Sequence, residues 1–154
     1  MAKVIFDVFG MEELNRSLEK LGKLPQKHVT SSSKKAMNIA LKDARANAPY
    51  ETGALKEGIV MKGERSRQKG KKVYRIVFDR AMNKIFQKQN KEGKITGYYP
   101  VSQEYGFFAK NGRYIPGFRF ISDSLTDNVK NIEKTIVSTM KTKIDAEIAK
   151  EGLK

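Results

Sequence analysis

The spacing of apolar residues changes early in the chain, from alternation to the spacing of a helix. Val4, Phe6 and Val8 alternate with other positions up to Gly10, which predicts a short first strand. Leucines then recur three or four residues apart, at Leu14, Leu18 and Leu21. This spacing predicts a first helix, and Gly22 is the kind of residue that commonly caps a helix at its carboxyl end.

A second helix is predicted from Pro25 to Ala48, because proline suits the first turn of a helix. Small residues recur along it every four positions, at Ala36, Ala40 and Ala44. Such a row lets the helix approach a neighbour closely, which is either another element of the same domain or a helix of another subunit. Pro49 disfavours helical backbone at the residue before it and therefore predicts the end of this helix.

Alternating residues in the middle of the chain predict two strands, at 57–63 and 72–79. The charged, glycine-containing connection at 62–72 predicts a long hairpin loop. Residues 81–96 are ambiguous: Met82, Ile85 and Phe86 could form one face of a short helix, and residues 90–94 then fit a turn. Residues 98–105 fit a final strand, which a proline within it restricts to a sheet edge.

The last third of the chain carries one long apolar stripe at helical spacing. Its members are Ile121, Leu125, Val129, Ile132, Ile136, Met140, Ile144 and Ile148. The stripe predicts a helix of about eight turns, which lies across its own sheet or meets another subunit. Residues 1–154 are therefore predicted to form a single α+β domain, with a small antiparallel sheet of about four strands packed with two N-terminal helices and one long C-terminal helix.

Charge is concentrated in the middle of this chain. Lys and Arg number 31 against 17 Asp and Glu, a net charge of +14. Residues 1–24 carry four bases and four acids, and residues 120–154 carry six of each, so the whole excess lies in residues 25–119. This distribution predicts a positive surface that faces an acidic partner or nucleic acid. No apolar run approaches the length of a membrane span, so no membrane partner is expected and assembly is expected in a cytoplasm.

Residues suited to catalysis are few. The chain has no cysteine, and its one histidine, His28, has no carboxylate at helical spacing before Asp43, so we expect a surface histidine. Glu104 stands alone in an aromatic segment, where it could be catalytic but more often such an acid fixes a loop. No glycine-rich phosphate loop or cluster of metal ligands is visible. We therefore expect no catalytic residue, metal or cofactor.

The loop at 62–72 supplies the best candidates for docking a partner. Its bases are Arg65, Arg67, Lys69, Lys71 and Lys72. They could neutralise phosphates, and aromatic residues at Tyr98, Tyr99, Phe107 and Phe108 could stack on bases. Those aromatics stand where a core must be made, however. Basic loops are also common solvated features of protein surfaces, so nucleic-acid binding is the less favoured interpretation of this loop.

Within residues 40–59 a predicted helix ends at Ala48 and Pro49, and Thr52, Gly53 and Leu55 follow before a predicted strand that contains Ile59. This order resembles the signature of the gene-product-ten-like tail-component family of siphophages. In that family a helix ends in Ala-Pro, followed by Thr-Gly-x-Leu and a strand. Four of these residues have an expected structural role: Pro49 stops the helix, Thr52 caps the next turn, Gly53 accepts an unusual backbone angle, and Leu55 anchors the corner in the core.

Two later segments are similar to the same family. Glu104 and Gly106 match a Glu-aromatic-Gly element at the end of a late strand, and Phe120 matches the Pro/Phe-rich start of the C-terminal helix. The chain departs from the family in carrying Arg119 before Phe120, and in a longer segment at 81–96. The match extends over nearly the whole chain.

The resemblance implies a structural virion protein of a tailed phage or prophage, assembled in the bacterial host cytoplasm. It implies tail completion and head–tail joining at the neck, without catalysis. The implied partners are other neck and tail proteins and further copies in a homo-oligomeric ring, with DNA nearby but no specific nucleic-acid binding. A tail terminator, a head-closure protein and a basic nucleic-acid-binding accessory protein remain as alternatives.

Overall fold

The computed structural model describes residues 11–65 and 71–150, and for residues 11–21 and 23–25 it describes the backbone alone. The helices are α1 (Met11–Asn47), α2 (Ala54–Gly58), α3 (Asn83–Phe86), α4 (Tyr99–Tyr105), α5 (Phe120–Asp127) and α6 (Val129–Lys150). The strands are β1 (Ile59–Gly63), β2 (Tyr74–Phe78), β3 (Gln87–Gln89), β4 (Ile95–Tyr98), β5 (Gly106–Phe108) and β6 (Tyr114–Pro116). The predicted strand at Val4–Val8 lies outside the described residues.

The first helix, α1, is a single helix of 37 residues where the sequence predicted two. Gly22 and Pro25 both lie inside it, so the predicted helix end at Gly22 and the predicted start at Pro25 are wrong. A proline inside a helix removes one backbone hydrogen bond and costs about 3 kcal/mol, and packing of α1 against α6 offsets that cost. The predicted end of the helix before Pro49 is confirmed, since α1 ends at Asn47.

Helices α1 and α6 lie side by side and antiparallel. At one end the Asn128 amide donates a hydrogen bond to Asp43 Oδ2 at 2.8 Å, and farther along α6 the Lys143 ammonium donates to the Ser31 hydroxyl. The row of small residues is fully buried within the chain, with Ala36, Ala40 and Ala44 each 0% exposed. This row therefore serves packing inside the domain, the first of the two alternatives that the sequence left open.

The long C-terminal stripe belongs to two helices, α5 and α6, which meet at Asn128. This residue has φ −99° and ψ 5°, and its side-chain amide donates to the Ser124 carbonyl at 2.9 Å as well as to Asp43. The amide thus fixes the break between the helices and ties it to α1. The predicted long C-terminal helix is confirmed in α6, which has 22 residues. Its predicted extent of eight turns is too long, because helical spacing does not reveal a break that a side chain stabilises.

The strands pair in three separate two-stranded antiparallel sheets, β1–β2, β3–β4 and β5–β6. The longest pairing runs from Ile59 opposite Phe78 to Gly63 opposite Tyr74. The predicted α+β class is confirmed. The predicted single sheet of about four strands is corrected to pairs, because short helical segments follow β2 and β4 and separate each hairpin from the next.

Residues 81–105 alternate between short helices and short strands. A 3-10 turn at Arg80–Met82 and α3 precede β3, and a turn at 90–94 leads to β4. The short helix and the turn considered for residues 81–96 are therefore both present. The strand predicted at 98–105 is wrong beyond Tyr98: Pro100 lies in the first turn of α4, where its missing N–H has no helical partner to lose.

The core joins the end of α1 to α2, β1 and α5. Its buried members are Ala44, Ala48, Leu55, Ile59 and Phe120, and partly buried side chains pack around them. Phe78 lies at its edge and makes edge-to-face contacts with the rings of Phe86, Tyr98 and Phe120, at centroid distances of 6.2, 6.4 and 6.2 Å. Such contacts add about 0.5–1.5 kcal/mol each beyond area burial.

Candidate functional site

The corner between α1 and β1 follows the Pro-x-x-Thr-Gly-x-Leu pattern closely. After Pro49, the Thr52 hydroxyl accepts a hydrogen bond from the Ala54 N–H at 3.4 Å. Gly53 has φ +83°, in the left-handed region that other residues rarely adopt. Leu55 follows in α2 and is 3% exposed. The four residues therefore reverse the chain and place α2 and β1 against the end of α1.

Arg45 locks this corner from the α1 side. Its guanidinium donates two hydrogen bonds to the Ile59 carbonyl, from Nε at 2.9 Å and from Nη2 at 2.7 Å. The side chain thus spans from the helix to the first residue of β1. This role is not predictable from the sequence, because an arginine on a helix gives no sign of a backbone partner 14 residues later.

A second corner is held by Glu104, which is 1% exposed. Its carboxylate accepts hydrogen bonds from the backbone N–H groups of Ile121 and Ser122, each at 2.9 Å. These are among the first N–H groups of α5, which have no partner inside the helix. Glu104 therefore caps α5 from a different element, and a carboxylate at this end also interacts favourably with the helix dipole.

Two glycines allow the backbone to pass very close to itself beside Glu104. A Cβ on Gly117 would lie 2.4 Å from the Glu104 carbonyl oxygen and 2.4 Å from the Gly106 nitrogen. A Cβ on Gly106 would lie 2.3 Å from the Ile115 carbonyl oxygen, and Gly106 itself has φ +88°. Backbone bonds from Phe118 to Gln103 and from Arg119 to Glu104 complete this crossing.

The arrangement of these residues favours structural over chemical roles. Both carboxylate oxygens of Glu104 already accept backbone hydrogen bonds. His28 was expected at the surface, and this is wrong: it is 4% exposed, on the buried face of α1 that also carries Ser32. Among the described residues no group of three or more His, Cys, Asp or Glu side chains could hold a metal ion.

The bases of the predicted docking loop fall into three groups. Arg65 and Lys71 are exposed. Lys72 turns inward: its ammonium donates to the Glu64 carbonyl at 2.6 Å and lies 5.6 Å from the centroid of the Tyr74 ring. Arg67 and Lys69 lie outside the described residues.

Neighbouring charges on β1 and β2 are already paired. Arg75 forms an ion pair with Glu64, and Lys62 lies 3.8 Å from Asp79. The second basic segment, residues 84–94, is more open, and its lysines are all exposed: Lys84, Lys88, Lys91 and Lys94. Exposed bases thus stand at the ends of the β1–β2 and β3–β4 hairpins, which we call the two basic hairpins, and further exposed bases lie elsewhere, such as Lys34 and Lys42 on α1.

An aromatic surface that sequence analysis did not predict lies around the β5–β6 hairpin. Its exposed apolar side chains are Tyr105 (61%), Phe107 (42%), Phe108 (75%), Tyr114 (50%), Ile115 (40%) and Phe118 (63%). Phe107 and Phe108 were expected to form core, which is wrong because they belong to a hairpin that projects from the domain. We call these six residues, with Lys110 and Arg113 at the hairpin tip, the hairpin surface.

A comparison with protein-family models places these features in a known family. Residues 12–96 match the model described as "Bacteriophage HK97-gp10, putative tail-component". The chain belongs to this HK97-gp10-like family. Searches of curated proteins and of solved structures gave no significant match. Membership shows that the chain is a phage tail-component protein, in agreement with the resemblance found in the sequence.

The family match covers nearly all of α1, the Arg45 and Gly53 corner, the β1–β2 hairpin and the β3–β4 hairpin as far as residue 96. Glu104, Gly106 and Phe120 lie beyond the matched residues, as does the hairpin surface. In the part of the chain that the structure describes, no helix is long and apolar enough to cross a membrane.

Proposed function

We propose that this HK97-gp10-like protein is a structural part of the virion that acts in tail completion and head–tail joining at the neck. It works by shape and charge, without catalysis. The observation that carries the proposal is family membership combined with exposed lysines and arginines at the ends of two hairpins. These bases meet acidic surfaces of neighbouring neck or tail proteins, and long-range attraction speeds the encounter.

The location of the excess positive charge in the chain supports docking through the two basic hairpins. The net charge of +14 arises within residues 25–119, and both basic hairpins lie inside that range. The corners at Arg45 and Glu104 hold the remaining elements in place through backbone contacts. A rigid scaffold with charged tips suits a protein whose task is to fit between other parts.

Copies of the protein form a homo-oligomeric ring in this proposal. Support comes from α6, which has no fully buried residue and leaves Val129, Val137 and Ile144 exposed at 47%, 67% and 37%. These positions are eight and seven residues apart, so they share one side of the helix. An exposed apolar stripe on a long helix is suited to contact with a neighbouring subunit.

Charge reversal in the first basic hairpin tests the proposed docking. The variant carries Arg65→Glu, Arg67→Glu, Lys69→Glu and Lys71→Glu. We expect a strong reduction in the yield of joined particles when this variant complements a phage deleted for the gene. Normal yield from the variant would show that the hairpin does not dock a partner.

A matched control separates hairpin charge from net charge. Lys34→Glu, Lys35→Glu, Lys42→Glu and Lys56→Glu change the net charge by the same amount at exposed positions outside both hairpins. We expect this control to join particles at near-normal yield. Equal loss in both variants would indicate a general requirement for positive charge and would contradict docking through the hairpin.

Nucleic-acid binding is the second candidate function, because the same charge excess would attract phosphates. Binding to DNA through lysine and arginine weakens steeply with salt, roughly in proportion to the number of phosphates contacted. Retention on DNA-cellulose at low salt, lost on salt addition and lost in the hairpin variant, would support this candidate. Absence of retention at low salt would remove it.

The exact place in the neck is tested by deletion of the gene. Loss of a tail terminator gives overlong tails, and loss of a head-closure protein gives heads without DNA. We expect tails of normal length and filled heads that fail to join. Electron microscopy of the deletion lysate distinguishes the three outcomes.

A further inference from the structure

The hairpin surface has a composition unlike that of the rest of the exposed chain. Six large apolar side chains are exposed within residues 105–118. The same segment carries Lys110 and Arg113 and contains no acid. Aromatic residues and arginine dominate the binding energy of protein interfaces, whereas scattered single apolar residues are ordinary on a surface.

The hairpin is also held in one orientation. Phe118 donates to the Gln103 carbonyl at 2.7 Å, so both ends of the β5–β6 hairpin are tied to α4. The Tyr114 hydroxyl donates to the Tyr105 carbonyl at 2.5 Å, and the Phe108 and Tyr114 rings lie 5.3 Å apart. A preformed surface loses little conformational freedom on binding, and this favours tight association.

From these observations we infer that the hairpin surface inserts into an apolar groove, rimmed by carboxylates, on another protein of the neck or tail. The inference rests on the proposed function and adds a second docking surface to it. Charge complementarity identifies the occupant: bases at the tip with no acid nearby match an acidic rim, and the six apolar side chains match the groove floor.

Two other occupants fit the surface less well. A second copy of the chain already has a contact surface in the proposed ring, the exposed apolar stripe on α6, which leaves the hairpin surface for a different protein. Single-stranded nucleic acid binds open ring faces along a basic groove, but Phe108 and Tyr114 pack against each other at an interplanar angle of 53°. Apolar side chains also outnumber the bases of the segment.

The test measures binding of the purified protein to tails and heads isolated from a phage deleted for the gene. Phe108→Ser/Phe118→Ser removes two exposed aromatic side chains. Lys110→Glu/Arg113→Glu reverses the charge of both bases at the hairpin tip. We expect the wild-type protein to bind one of the two particles. We expect each double variant to bind at least about tenfold more weakly, as for residues at the centre of an interface.

Kinetics distinguish the two parts of the surface. Phe108→Ser/Phe118→Ser is expected to raise the dissociation rate and to leave the salt dependence of binding unchanged. Lys110→Glu/Arg113→Glu is expected to lower the association rate and to reduce its salt dependence. Tyr50→Ser removes an aromatic side chain that is 80% exposed elsewhere, and it is expected to bind like wild type. Phe108→Leu, which keeps an apolar side chain, is expected to retain most of the binding.

Several results would overturn the inference. If the wild-type protein binds a particle and both hairpin variants bind it equally well, the hairpin surface is not a docking site, while the proposed function stands. Sedimentation measures self-association of Phe108→Ser/Phe118→Ser. If this variant no longer self-associates but still binds the particle like wild type, the surface belongs to contact with a second copy. Hairpin-dependent binding to a single-stranded oligonucleotide would assign it to nucleic acid. If the wild-type protein binds neither particle, the proposed function fails together with the inference.

Discussion

The carboxylate of Glu104 accepts a hydrogen bond from the backbone N–H of Ile121 at 2.9 Å, although the two residues are 17 positions apart in the sequence. The intervening chain contains the whole β5–β6 hairpin, so this bond closes the base of the hairpin and begins α5 at the same point. Phe120, the residue before Ile121, is 2% exposed and belongs to the core. One buried acid therefore connects the projecting hairpin to the centre of the domain.

Glu104→Ala is expected to lower the free energy of unfolding by about 2–4 kcal/mol, because it leaves two N–H groups at the start of α5 without their charged acceptor. Urea denaturation of the purified protein measures the change. Glu57→Ala, at an exposed position in α2, is the control and is expected to stay within about 0.5 kcal/mol of wild type. Equal stability of Glu104→Ala and the control would contradict the capping role.

Glycine substitutions are expected to have opposite effects at two positions. Gly117→Ala places a Cβ 2.4 Å from the Glu104 carbonyl oxygen, so the backbone crossing must open and stability must fall. Gly22→Ala lies inside α1 with no atom within 4 Å of the new Cβ, and it is expected to stabilise the protein by about 1 kcal/mol. Thermal melting measures the change in stability of each variant, and we expect a lower melting temperature for Gly117→Ala and a higher one for Gly22→Ala than for wild type. A loss of stability in Gly22→Ala would show that α1 is not continuous there.

The corner at Thr52 and Gly53 was predictable because its cause is local. Proline, threonine and glycine each restrict the backbone within a few residues, so their order alone indicates a helix end followed by a turn. The continuity of α1 through Pro25 was not predictable in this way. It depends on packing against α6, more than a hundred residues later in the chain, which outweighs one missing hydrogen bond.

The candidate site was predicted less completely than the fold class. A basic loop that contains glycine can be recognised from its composition alone. The exposure of Phe108 instead depends on the close approach of two backbone segments at Gly106 and Gly117, which the sequence does not reveal. A run of aromatic residues fits a core strand and a projecting hairpin equally well. The absence of acids between Glu104 and Asp123 was the available sign that this segment faces a partner.

Two buried serines give a matched test of hydrogen bonding. Ser124 is 1% exposed, and its hydroxyl donates to the Ile121 carbonyl at 2.8 Å. Ser32 is 0% exposed, and its hydroxyl has no partner among the described residues. Ser124→Ala is expected to cost about 1 kcal/mol, whereas Ser32→Ala is expected to be neutral or stabilising. Urea denaturation measures both, and a larger loss in Ser32→Ala than in Ser124→Ala would contradict the assignment.

Alkaline pH is expected to destabilise the protein through Tyr98 and Tyr99. Burial raises the pKa of both phenols above the ordinary value of 10.0. At Tyr98 the charge of Arg80 lowers the pKa and that of Asp79 raises it, while at Tyr99 the charge of Glu51 raises it further. The unfolded chain loses these protons first, so their contribution is intact below about pH 10 and is lost as the pH rises through the folded-state pKa values. Unfolding free energies measured across this range should fall less steeply for Tyr98→Phe/Tyr99→Phe than for wild type. Tyr50→Phe, at an 80% exposed position, is the control, and identical slopes in all three proteins would contradict the prediction.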